Sequence, residues 1–533
     1  MRLSITITIV LLITISSVNI TVAAPGDTLL TIGTPFSCPQ GLAYDGDNLW
    51  VVDRRSDLIY RVDPKSGVSD YQIPTPGYVP RGLTFDGKLL WCVDAEAQLI
   101  HAINPETQIV EKTIWCPVGN PGDLAWDGEF LWISDDGDNQ LRQLSTEDGT
   151  EIISIPSPNS HPGGLTFDGE YLWVADRYSN MIYMVLPSTG DVIVTFDSPG
   201  PHAAGLAWDG NNLWNADYET DLIYKLVVDD GTPFIRTDER ELEIEFVHQV
   251  RNFGPGELVN LNVYLAKPAN RDNQEIVGEI KFSPEPSRII REGLDQEIVQ
   301  FDFENVSAGN FTEVIMNVRT KLYKVRYFIY PDRVGSFDDI PDDVRKTYLD
   351  NDSKFSFNSP IIRSAIERAV GDETNPYWVA RKIFDYVIDH VEYELAGGWN
   401  IAPTVLDRGT GSCSEYTFVY IAMCRAAGIP ARYVGSIVTR GDDASWDDVF
   451  HRWVEIYLPN FGWIPVDPSG GDSPVPAHRA NAFGYLNNRF LITTESAGGS
   501  EYLGWSYNAN EKWQSKGRVK VDVENVGEWT PVK

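Results

Sequence analysis

Cys413, His451 and Asp467 are of the types, and stand in the order, that thiol acyl chemistry uses. A thiolate attacks a carbonyl carbon, an imidazole takes and returns the proton, and a carboxylate holds the imidazole in its working tautomer. In GTGSCSEYTFVYIAMCRAAGIP, Ser412 and Glu415 form a Ser-x-x-Glu capping box, an apolar run on one face follows, and Gly428 with Pro430 stops the predicted helix. Cys413 is then the first helical residue, where the positive end of the helix and its unpaired N–H groups stabilise a thiolate and, later, an oxyanion. Gly409 and Gly411 leave the approach open. Cys424 falls on nearly the same face but ~16 Å along the axis, too far to bridge, and is read as core filler.

His451 opens a predicted strand in HRWVEIYL; a turn at 459–462 leads to a second strand carrying Asp467. Alternation places His451, Trp453 and Glu455 on one face. Asp467 joins them only if paired positions sum to an even number, such as 453 with 467, which requires an odd number of loop residues. Glu415 is read as a cap, Trp453 and Trp463 as packing, and His390 and His478 as surface residues. Upstream, SPIIRSAIERAV and NPYWVARKIFDYVIDHV carry apolar residues at helical spacing, so an α/β unit starts near residue 358.

GSCSEYTFVYIAMCRAAGIPARYVGSI, HRWVEIYL, FGW and VDPS together resemble the transglutaminase-like superfamily, whose fold is related to papain-type cysteine proteases. The match is tight from Val387 to Ser469. The resemblance implies an α+β domain over 336–533, with Cys413 as nucleophile, His451 as base and Asp467 as orienting acid. It implies no metal or other cofactor, although calcium controls some family members. The upstream oxyanion donor of the family has no diagnostic counterpart here; Trp399 and Asn400 are the candidates.

The elements ahead of this unit are of another kind. GLAYDGDNLWVVD, beginning at Gly41, returns four times, with Gly46, Gly87, Gly128, Gly169 and Gly210 spaced 41 residues apart. Trp50, Trp91, Trp132, Trp173 and Trp214 keep the same step, as do Asp53, Asp94, Asp135, Asp176 and Asp217. Each unit reads as four short strands around an Asp-Gly turn, hence a five-bladed β-propeller over 25–234. DTLLTIG at the start supplies the strand that the last unit lacks, closing the ring. The pattern resembles propellers with Asp-Gly and Leu-Trp repeats, a class of binding modules, lyases and cyclotransferases. Because a catalytic site is normally built once, the repeated aspartates are read as turn and packing residues, and Asp135, Asp136 and Asp138 as a solvated turn. Residues 237–335 alternate in strand fashion without clustered ligands and read as a β-sandwich; it resembles a domain found upstream of transglutaminase-like cores. Asn305, Asn310 and Asn351 head glycosylation sequons.

Residues 3–24 are uncharged and apolar, preceded by Arg2, and read as a signal peptide, 1–24; a secreted or extracytoplasmic location follows, with a membrane contact only if the segment stays uncleaved. With 43 Lys+Arg against 77 Asp+Glu, the net charge of −34 repels nucleic acid. Five cysteines are too few for a disulfide scaffold; Cys38, Cys92 and Cys116 are read as structural.

The expected partner is a protein or peptide substrate, from the cell surface or elsewhere. Amide or peptide hydrolysis is favoured over lysine cross-linking because water is the default acceptor, and the ring is read as a target-binding module. Two alternatives stand: a non-catalytic secreted adhesion scaffold, and catalysis housed in the propeller. The latter needs non-repeating polar residues at one ring face, for which His101, His161 and His202 are the candidates.

Overall fold

The computed structural model describes residues 23–34, 36–293, 296–395 and 398–532. The expected signal segment lies outside the described residues except for Ala23 and Ala24. Among the described residues, no helix is long and apolar enough to cross a membrane.

Five four-stranded antiparallel sheets form the propeller. Four use consecutive strands, as in Pro39–Tyr44, Leu49–Asp53, Leu58–Val62 and Ser69–Pro74. The fifth takes its outer strand from the beginning of the chain: Thr28–Gly33 pairs with Leu222–Leu226, with Thr31 opposite Tyr224. An unpaired outer strand would leave a row of free N–H and C=O groups, and the amino-terminal strand removes it. The repeat has a local cause. Asp45, Asp86, Asp127, Asp168 and Asp209 each accept the indole N–H of the tryptophan five residues later, at 2.7–2.9 Å, while the other carboxylate oxygen takes the turn N–H groups. The turn glycine sits at positive φ in every copy, +107° at Gly46, which a side chain would strain. The second aspartate of the motif is buried and ties adjoining loops: Asp94 accepts from the backbone N–H groups of Tyr78, Val79, Glu96 and Ala97.

The next layer is a sandwich whose sheets share a core of Leu242, Phe246, Leu261, Val299, Met316 and Trp529. Its boundaries differ from the expected 237–335. Phe234–Asn252 lies between Phe311–Tyr327 and Val521–Pro531, and Glu257–Ala266 lies between Glu297–Val306 and Ala509–Lys516. The last strands of the chain therefore belong to the sandwich, and the expected contiguous unit 336–533 is corrected to a core inserted before them. The physical reason is pairing: the final strands satisfy the backbone groups on the second side of Phe234–Asn252 and of Glu257–Ala266.

The inserted core sets the helix Cys413–Ala426 against an antiparallel sheet ordered Gly462–Val466, His451–Leu458, Ala431–Val438, Phe490–Ser496. Every residue of the helix from Cys413 to Arg425 is buried, so the expected one-sided apolar face is corrected to an interior helix covered all round. The other covers are Pro360–Val370 and Pro376–His390; the latter starts on Asn375, whose side chain accepts from Tyr377 N at 2.9 Å. Phe328 and Tyr330 insert into the core between the fourth and fifth blades, and Ala477 N donates to the Pro158 carbonyl at 3.0 Å, locking ring to core.

Candidate functional site

The Cys413 helix begins where sequence places it. Glu415 is fully buried and accepts four hydrogen bonds: from Ser412 N (3.1 Å), Arg408 Nη2 (3.1 Å), Asn400 N (2.9 Å) and Asn400 Nδ2 (3.0 Å). It is a cap, as expected, and also the anchor of the 399–400 loop. Asn400 thus has its backbone N–H and one of its two amide N–H bonds committed to Glu415. Trp399 lies with its ring 5.0 Å from the Arg452 guanidinium, and its carbonyl accepts from Lys354 Nζ.

The sheet brings the other two residues together. Val454 pairs with Val466 and Leu458 with Gly462, so position 453 faces 467 and the loop holds three residues, 459–461. The parity is the one required. His451 Nε2 lies 2.6 Å from Asp467 Oδ2, and Asp467 Oδ1 accepts from Ser469 Oγ (2.9 Å) and Gly470 N (3.0 Å). The carboxylate is aimed by its own turn. The imidazole stacks at 5.7 Å on both Trp453 and Phe490, which leaves it little rotation. With Nε2 occupied, Nδ1 is the nitrogen available to the Cys413 thiol, which sits within hydrogen-bond reach of the imidazole and of the Arg452 backbone N–H.

These contacts set the charges. Burial pushes the Cys413 thiol up, but the hydrogen bond and charge of His451, with the Arg452 N–H, outweigh it and bring the thiol below its usual value. Burial pulls His451 down, yet Asp467 and then Cys413 raise it to about 10. Asp467 is likewise opposed by burial and held below the usual carboxylate range by His451. These shifts favour the thiolate of Cys413 and the charged ring of His451 over their neutral forms. Cys424 is the contrast: it is fully buried, and burial drives its thiol far upward.

All five cysteines are free thiols. Trp453 is buried as packing, and Trp463 packs on Tyr348 and the Arg432 guanidinium. His390 and His478 are exposed. Sequence reasoning missed Arg452, fully buried beside His451 in the chain, with its guanidinium 4.3–5.3 Å from the rings of Tyr507, Tyr433, Trp399 and Phe418 and its Nη2 donating to the Trp505 carbonyl. Its alternation to the opposite face of the His451 strand was the available signal.

In the ring, His101 is buried in a strand against Thr113 Oγ1 at 3.0 Å, away from any opening. His161 and His202 repeat in backbone role, each N–H donating to the blade aspartate, Asp176 or Asp217. Their rings diverge: His161 Nδ1 meets Asp136 Oδ1 at 2.9 Å, and His202 Nε2 meets Glu219 Oε2 at 2.9 Å. Asp136, expected in a solvated turn, instead has its side chain buried and takes Arg177, Asn120 and His161 together.

Comparison with known proteins agrees with this division. Residues 363–468 match the model of the transglutaminase-like superfamily, and residues 28–184 match that of the virginiamycin B lyase family. An uncharacterized protein of Haemophilus influenzae is 29% identical over 130 residues, 20% of this chain; the chain spans about a third, 35%, of that relative's length. A candidate cysteine protease from Cytophaga hutchinsonii superposes over 56% of this chain and 100% of its own, at 13% identity and a TM-score of 0.40. Glutaminyl cyclase of Myxococcus xanthus covers 38% of this chain and 96% of its own, at 14% identity and a TM-score of 0.35. An inactive variant of virginiamycin B lyase from Staphylococcus aureus covers 37% of this chain and 68% of its own, at 21% identity and a TM-score of 0.26. The family models thus place a transglutaminase-like region at 363–468 and a lyase-like propeller region at 28–184, within the five four-stranded sheets of the ring.

Proposed function

We propose that this protein is an exported thiol acyl-transfer enzyme that cleaves carboxamide or peptide bonds of a protein target through Cys413, His451 and Asp467, with the propeller holding the target. The observation that carries the reading is the single line of groups from the Cys413 sulfur through the His451 ring to Asp467 Oδ2, the last step 2.6 Å long. The Cys413 thiolate forms a bond to the carbonyl carbon, and the carbonyl electron pair moves onto oxygen. That oxyanion develops at the start of the helix, where the Cys413 backbone N–H is unpaired within the helix. As the oxyanion collapses, the C–N bond breaks and the imidazolium gives its proton to the departing nitrogen, releasing ammonia or an amine and leaving a thioester. His451 then takes a proton from water, whose oxygen displaces the sulfur and regenerates the pair. Asp467 holds the ring through both halves and stabilises its charged form.

Hydrolysis is favoured over transfer to a lysine amine because an amine acceptor must outcompete far more concentrated water, which demands a channel that excludes it. The test is a glutamine peptide incubated with and without a primary amine. Ammonia release that does not need the amine, lost in Cys413→Ala and retained in Cys424→Ala, supports a hydrolase. Amine incorporation at a rate exceeding hydrolysis would move the reading to cross-linking, and a Cys413→Ala chain as active as the natural one would overturn it. A companion measurement is iodoacetamide labelling across pH, in which Cys413 reacts below the usual thiol range and Cys424 stays inert.

A further inference from the structure

The propeller keeps its turn glycines, tryptophans and blade aspartates in every copy, but one position at its axis breaks the pattern. On the innermost strands four of five equivalent positions are glycine, Gly41, Gly82, Gly164 and Gly205, while the third copy has Asp123. A Cβ on any of these glycines would collide with the backbone of a neighbouring blade. In the space they leave, the buried Asp123 carboxylate spans the axis and accepts from the backbone N–H groups of Leu83 and Leu124 (both 2.9 Å), Leu165 (3.1 Å) and Leu206 (3.2 Å). The convergent N–H groups of the blades thus form an anion-holding centre, and this chain fills it with its own side chain.

Directly beside Asp123 a funnel opens, a cavity of about 50 Å³ lined by Gln40, Arg81, Asp136, Arg177 and Tyr218 among others. Three aligned registers surround it, and each has lost its repeat. The residue before the inner strand is Cys38, Val79, Asn120, His161 or His202; that before the axial glycine is Gln40, Arg81, Gly122, Gly163 or Ala204; that after the blade aspartate is Arg54, Ala95, Asp136, Arg177 or Tyr218. Turn glycines, tryptophans and aspartates stay invariant over the same 41-residue step, whereas these three registers around the opening each carry unlike polar and charged groups.

The groups gathered there are cationic, in a chain whose net charge is −34. Arg54 and Arg177 lie close enough to Arg81 that, after burial, their charges are what hold its pKa below the usual guanidinium value. Arg81 Nη1 donates to Asn120 Oδ1 (2.9 Å) and to the Pro121 carbonyl (3.1 Å), while its Nε is buried with no partner among the described residues. Asp136 offsets Arg177, and Asp123 is already saturated by N–H groups. Burial raises the Asp123 carboxyl to about 8, Arg81 has no carboxylate partner among the described residues, and a volume of about 50 Å³ admits one small planar group, which favours a carboxylate over the bulkier phosphate.

We infer that the axial funnel of the propeller, lined by Arg81, Arg177, Gln40 and Tyr218 over the Asp123 floor with Arg54 near Arg81 outside the lining, is a binding site for a peptide carboxylate. It gives a specific anchor to the target-holding role proposed for the ring, and its binding is measurable apart from the chemistry at Cys413. The salt dependence of binding should be marked, because the attraction is ionic.

The experiment is ligand-observed NMR titration, on the full chain carrying Cys413→Ala so that no probe is consumed. The probes are N-acetyl-dialanine, its terminal amide, N-acetyl-glutamate α-amide with a free side-chain carboxylate, and inorganic phosphate. The expected result is saturable binding of the free acid with a Kd near or below ~1 mM and at least tenfold weaker binding of the dialanine amide. Loss of at least tenfold in affinity is expected in Arg81→Gln, and a smaller loss in Arg54→Gln, whose side chain is exposed and keeps the fold intact if Arg81→Gln does not. Stronger binding of the glutamate probe than of the dialanine acid supports the same site with a side-chain carboxylate as its source. Equal binding of acid and amide, binding of phosphate alone, no saturable binding of either carboxylate, or unchanged affinity in both arginine variants overturns the inference. Failure here leaves the amide-cleavage assay on the natural chain untouched, and failure there leaves this titration untouched.

Discussion

In the propeller, Asp45, Asp86, Asp127, Asp168 and Asp209 solve one problem five times, each holding its own tryptophan and its own turn. In the carboxy-terminal core, Cys413, His451 and Asp467 come from a helix start, a strand start and the turn after a strand, and they meet only once. The first arrangement is local and redundant; the second is assembled at a distance and has no spare part. Carboxylates serve both regions, but those of the blades accept backbone and indole N–H groups, whereas Asp467 faces a titrating ring. Identical chemistry repeated around a ring therefore marks structure, and a constellation drawn from unlike elements marks function. The axial funnel joins the two cases, because there the ring itself stops repeating.

The contrast can be broken at several points. Replacing Cys413 by Ala should remove about 10⁴-fold or more of amide-cleaving activity while leaving the thermal transition in place, since the nucleophile has no substitute. Asp467→Asn should lower kcat by about 10²–10⁴-fold and also change the pH profile. In the natural chain the alkaline limb follows loss of the imidazolium proton, at about 10. Asp467 is the main group holding that value up, so its removal should shift the limb toward neutral pH, read from kcat/KM between roughly pH 6 and 11.

Smaller effects are expected in the ring, and on stability alone. Asp123→Ala leaves four buried N–H groups without their acceptor and should cost about 2–4 kcal/mol, measured by denaturant unfolding, with activity on a small untethered amide unchanged. Asp86→Ala loses one copy of the turn and the Trp91 bond, for about 1–2 kcal/mol, because four intact blades remain. Cys424→Ala should be smallest, about 1 kcal/mol with full activity. An Asp86 variant as damaging to catalysis as the Asp467 variant would erase the distinction between the regions.

Much of this was legible before any coordinates. The 41-residue step identified the blades because each one closes its hydrogen bonds mainly within itself, and Thr28–Gly33 was recognisable as the missing outer strand by its likeness to the fourth strand of another unit. The capping box placed Cys413; for Asp467 the sequence supplied only the parity condition, which the observed pairing of 454 with 466 meets. The destination of 509–531 was not legible, since those strands alternate like any others and their partners lie about 250 residues earlier. Nor was the commitment of Asn400 to Glu415, or the burial of the Asp136 side chain, because both depend on groups brought in from other loops.

Sequence alone determined the number of blades and the helix that begins at Cys413. Both are periodic or short-range, carried by turns and caps that neighbouring residues enforce, whereas the register of the His451 and Asp467 strands was fixed by the sheet. Tertiary structure alone decided where the final strands pair, how Asn400 is held by Glu415, and where three arginines gather above Asp123. Those outcomes depend on distances between segments far apart in the chain, and no local preference encodes a distance across a ring or between two sheets.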